Sequence, residues 1–76
     1  MAKQRAIGER VRLYRQAAGF AIRRLAALAG MPRSSLARLE LGQQRAKHDE
    51  IVALANALGI PVDRLYRDDE KERKAS

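Results

Sequence analysis

An all-α, compact domain of five helices is the fold class this sequence predicts. Three observations lead there. Apolar residues recur at helical spacing in successive segments from Ile7 to Tyr66; Gly19, Gly30, Gly42 and Gly59 each fall just beyond such a segment; and no run alternates apolar and polar residues convincingly enough for a strand. With 76 residues the chain forms one domain, whose core buries only roughly 60% of the unfolded surface, so a partner subunit would add stability. The absence of cysteine rules out disulfides and thiolate metal clusters, leaves an aliphatic core, and suits a reducing cytoplasm.

The elements follow in order. Residues 1–6, "MAKQRA", form a flexible N-terminus ahead of the domain, which spans 7–66. Ile7, Val11, Tyr14 and Ala18 mark the first helix, which Gly19 can end in the left-handed conformation. Leu25, Ala26, Leu28 and Ala29 mark a short second helix closed by Gly30. Pro32 is tolerated in a first helical turn, where its missing N–H would be unpaired anyway, and opens a third helix that runs to about Leu39 and ends by Gly42. After the loop "QQRAK", a fourth helix runs from about Asp49 through Ile51, Leu54, Ala55 and Leu58 to Gly59. Pro61 starts a short fifth helix holding Val62, Leu65 and Tyr66. The tail 67–76, "RDDEKERKAS", is too charged to extend a core and is expected to be frayed or disordered.

Charge narrows the function. The tail carries four cations and four anions, so the net charge of +7 lies entirely in the folded part. A compact basic domain attracts polyanions, and on charge alone nucleic acid, an anionic membrane surface or an acidic protein would serve. The opening "MAKQRAIGER" mixes charge with apolar residues and is no secretory signal, and the apolar stretch near Ile51 to Val62 is shorter than the roughly 20 residues of a membrane span. A soluble cytoplasmic protein is expected. One histidine, no cysteine and no spaced carboxylate pair argue against an enzyme and against a metal or other cofactor. Single-stranded RNA is disfavoured because the basic face offers no aromatic stacking platform.

The break at Gly30-Met31-Pro32 is the most informative feature. On the third helix, at about 100° per residue, Leu36 and Leu39 point one way, while Arg33, Ser34, Ala37 and Arg38 cover about 140° of the other side. The second helix offers Leu25, Ala26 and Ala29, and the small Ala26 allows close approach across the turn. Two such helices form a helix-turn-helix, in which the second is held out from the body so that its first residues can enter the major groove of DNA. The same local pattern also occurs in small bundles that bind no nucleic acid.

The segments "IGERVRLYRQAAGF", "LAALAGMPRSSLARLELG" and "IVALANALGIPVDRLY" together resemble the Cro/phage-repressor type (XRE-like) helix-turn-helix family, in order and in spacing. The resemblance implies a lambda-repressor-like fold and a dimeric transcriptional regulator, a repressor or operon controller at a palindromic operator in double-stranded DNA. It places Arg15 and Glu40 as an ion pair clamping the third helix to the first, and Arg33, Ser34 and Arg38 as base contacts. Arginine reading guanine O6 and N7 through two hydrogen bonds is the commonest specific contact, and Arg33 is the first choice for it. The alternative is an antitoxin-type interaction module that also binds its own promoter; contact with a toxin or with polymerase stays open.

Departures from the family pattern shift other roles. Where the family has a Ser or Thr cap followed by Gln, this chain has Ala21 and Ile22, so a cap and a phosphate-binding amide are missing. Backbone N–H groups at that helix start, around Ile22, remain able to bind phosphate. Arg23 and Arg24 compensate, or else form a solvated face. Where the family often has Asn-Pro-Ser, this chain has Arg45, Ala46 and Lys47. Ser35, Gln43, Arg45, Lys47 and His48 are then expected along the sugar-phosphate backbone or at the minor groove. Val62, Leu65 and Tyr66 offer surplus apolar surface, which the resemblance assigns to a homodimer contact. In the other reading, Leu65 and Tyr66 fold back on Val11 and Tyr14 of their own chain.

Overall fold

A computed structural model describes residues 2–66, with side chains described from Ala6 onward. The tail 67–76, expected to be disordered, lies outside the described residues. The chain forms α1 (Ala2–Ala17), α2 (Ile22–Ala29), α3 (Arg33–Glu40) and α4 (His48–Leu58), followed by a single helical turn, α5, at 63–66. No strand occurs among the described residues. The first apolar position, Ile7, marks where α1 meets the core rather than where the helix starts. Helical backbone runs back to Ala2, through residues of high intrinsic helix propensity.

Each of the first four helices stops in the same way. At Gly30 (φ 70°) the backbone turns left-handed, its N–H bonding to the Ala27 carbonyl at 3.2 Å and the next, that of Met31, to Ala26 at 2.9 Å. That satisfies carbonyls which the helix end would leave bare, and a side chain at positive φ would strain the turn. Gly19, Gly42 and Gly59 repeat the positive φ.

Helix starts are less well provided. Neither Ala21, Pro32 nor Lys47 caps its helix with a side chain. Pro32 is the extended residue before α3 rather than its first helical residue, and its carbonyl accepts from Leu36 N–H at 3.1 Å. At α4 the carboxylate of Glu50 reaches back to accept the Lys47 N–H at 3.0 Å, which stabilises a start that the lysine side chain, having no acceptor, cannot cap.

The core joins Ile7 and Val11 of α1, Leu25 and Ala26 of α2, Leu36 and Leu39 of α3, Ala46 of the loop, Ile51, Leu54 and Ala55 of α4, and Leu65 of α5. α2 packs mainly on α4, and α1 on α3, with α2 and α3 also in contact. The α1 to α3 approach depends on Gly8. A Cβ there would run into the backbone carbonyl of Leu39, so only glycine lets the two helices cross this closely.

Candidate nucleic-acid interface

α3 divides cleanly. Leu36, Leu39 and Glu40 are buried, Arg33, Ser34 and Arg38 are exposed, and Ser35 and Ala37 lie between. Its orientation is fixed by charge as well as by packing. Arg15 of α1 donates from Nε to Glu40 Oε2 at 2.8 Å and from Nη2 to Oε1 at 3.1 Å, while Nη1 donates to the Phe20 carbonyl at 2.9 Å. The charged hydrogen bond to Glu40 raises the guanidinium above its ordinary range, outweighing burial, which acts the other way. One arginine therefore ties α1, the turn after it and the end of α3 into one body.

The other basic and polar side chains expected on this side are accessible. Arg23 and Arg24 are exposed in the uncapped first turn of α2, and Gln43, Arg45, Lys47 and His48 are exposed along the loop and the start of α4. Three of the expected site residues have roles in the fold as well. Ile22 packs its side chain against the core, so only its backbone N–H faces the role suggested for it. His48 Nδ1 lies 2.9 Å from the Tyr66 hydroxyl, and the two rings stack with centroids 6.0 Å apart. Arg38 donates from Nε to Gln44 Oε1 at 3.1 Å, a partner that the sequence reading did not single out.

The end of the chain requires a correction. Leu65 is 1% exposed and belongs to the same core as Val11, so it is not available as dimer surface. Val62 and Tyr66 are only partly buried. α5 is held further by Tyr14, whose hydroxyl bonds to Arg64; that bond and the charges of Arg64 and Arg10 lower its pKa against the opposing effect of burial. Sequence periodicity identified Leu65 as apolar but not what covers it. Gly8 had a legible signal, a glycine in the middle of a helical pattern, which needs a packing reason. Gln44 had none.

Among the described residues, no cluster of histidine and carboxylate side chains could hold a metal ion, and no helix is long and apolar enough to cross a membrane. A family model described as a helix-turn-helix domain matches residues 6–67. The restriction-modification controller protein C.AhdI from Aeromonas hydrophila has a similar structure, with 35% identity, a TM-score of 0.83, and alignment over 87% of this chain and 100% of that one. The clp gene regulator ClgR from C. glutamicum is 23% identical with a TM-score of 0.82, over 91% of this chain and 90% of its own, and so speaks to the fold alone. No curated protein matches.

Proposed function

The chain belongs to the helix-turn-helix domain family, and from this we propose that it is a sequence-specific regulator of transcription that binds double-stranded DNA as a homodimer at a palindromic operator. The observation that carries this reading is the state of α3: one face locked into the body through Leu36, Leu39 and the Arg15–Glu40 pair, the other exposing Arg33, Ser34 and Arg38. A helix held rigidly with a small, basic outer face suits the major groove. Arg33, Ser34 and Arg38 contact base edges. The backbone N–H groups at Ile22, with Arg23, Arg24, Ser35, Gln43, Arg45, Lys47 and His48, contact the sugar-phosphate backbone. Likeness to a restriction-modification controller favours control of a neighbouring operon, and this protein works as a regulator rather than as an enzyme.

Of the three residues expected at the twofold contact, the partly buried Val62 and Tyr66 remain once Leu65 is assigned to the core. A dimer built there sets two recognition helices about one DNA turn apart, roughly 34 Å. The test is selection of DNA from a random pool by the parent and by Arg33→Ala. The parent should enrich an inverted repeat, and the variant should relax one base pair in each half-site by roughly 1 to 3 kcal/mol of discrimination. If no sequence is enriched, the regulator reading fails; an enriched site without twofold symmetry removes the dimer.

A further inference from the structure

We propose that Gln44 is a positioning residue for sequence readout: by occupying Arg38 Nε it commits that guanidinium to reading DNA through its two Nη groups alone. The inference rests on the reading above, in which the exposed face of α3 meets base edges. Arg38 lies in the last turn of α3 and is exposed. A free arginine there would sample many rotamers and would lose that freedom on binding. The loop that follows α3 closes back on this residue twice. Gln43 N–H bonds to the Arg38 carbonyl at 2.8 Å, and Gln44 Oε1 accepts from Arg38 Nε at 3.1 Å.

The loop can act as a rigid support because it is anchored on both sides of Gln44. Before it, Gly42 turns at φ 76° and its N–H bonds to the Leu39 carbonyl at 3.1 Å. Beyond it, Ala46 is 4% exposed within the core. Gln44 itself is half-buried. Since Nε–H can only donate, the amide must turn its oxygen to Arg38. An arginine can grip guanine O6 and N7 either side-on, through Nε and one Nη, or end-on, through both Nη groups. With Nε engaged, only the end-on fork remains, so a residue that touches no base decides how Arg38 approaches one.

The experiment compares the parent, Arg38→Ala, Gln44→Met and Gln44→Glu, each as the full chain, by quantitative binding to the selected operator and to its single-base-pair variants over a range of salt. Gln44→Met keeps the side chain's bulk but loses the acceptor. It should lower discrimination roughly twofold to tenfold, the scale of one hydrogen bond, at the same base pair that Arg38→Ala relaxes. Preference elsewhere, the salt slope and thermal stability should stay at parent values. Gln44→Glu keeps an acceptor and should keep the preference, although its charge weakens binding to all sequences. The proposal is overturned if Gln44→Met leaves that base pair's preference unchanged, moves a different one, or flattens the salt slope as the loss of a direct phosphate contact would. It is equally overturned if Gln44→Glu loses the preference as Gln44→Met does. Arg38→Ala that alters no preference removes the premise, the reading face, and the proposal with it.

Discussion

Arg15→Ala should be among the most destabilising single changes in this protein. Glu40 is 5% exposed at its side chain and Arg15 14%, and both carboxylate oxygens accept from the guanidinium. Removing the arginine leaves a buried carboxylate without its counter-charge, which costs about 3 to 5 kcal/mol, whereas loss of a solvent-exposed pair costs only about 0 to 1 kcal/mol. The Phe20 carbonyl loses its donor as well. The opening left by the arginine lets water reach Glu40, so the lower end, about 3 kcal/mol, is expected. A domain of this size holds roughly 4 to 11 kcal/mol in all, and at roughly 4 to 8 °C per kcal/mol its melting temperature should fall by about 12 to 24 °C. Thermal and urea melting followed by far-ultraviolet circular dichroism measure this. Replacing both partners, as in Arg15→Met with Glu40→Met, removes both charges and should recover part of the loss. Because the raised guanidinium ionisation is a stabilisation present below its unfolded value and lost only in strong alkali, the pair's arginine adds no pH dependence near neutrality. A melting temperature for Arg15→Ala within about 2 °C of the parent would refute the clamp, since an effect that small is what an exposed pair produces.

Gly8→Ala should destabilise by about 1 to 3 kcal/mol in urea melting despite alanine's better helix propensity, because the new methyl meets the Leu39 carbonyl; a stabilised variant would show that the two helices separate freely. The logarithm of DNA affinity should fall linearly with the logarithm of salt, by about 0.9 per phosphate neutralised, and Ala in place of Arg23, Arg24, Arg45 or Lys47 should each lower that slope by about one. Tyr14 should ionise at lower pH than an ordinary tyrosine in an ultraviolet absorbance titration, and Arg64→Ala should move it back up. Since its folded value is depressed, the stability it contributes is fully present above the unfolded value of about 10 and declines as pH falls through the folded one; a Tyr14 titration unmoved by Arg64→Ala would exclude the contact.

Much of this molecule was determined by local sequence alone. The four glycines ended four helices because a left-handed turn is nearly forbidden to other residues, and helical spacing sorted Leu36 and Leu39 from Arg33, Ser34 and Arg38 because a side chain's direction on a helix follows from its number. Pairing Arg15 with Glu40 came from family resemblance, since nothing within either helix points to a partner 25 positions away. Three features were decided only when the helices came together. Leu65 is apolar by residue type, but whether its own chain or a second copy covers it depends on where α5 lands, and it lands in the same core as Val11. Gly8 matters because α1 comes against the α3 backbone there, at the Leu39 carbonyl. Gln44 meets Arg38 because the chain reverses at Gly42: a loop's path, unlike a helix's, carries no periodicity from which side-chain direction can be read, so its contacts exist only in the tertiary structure.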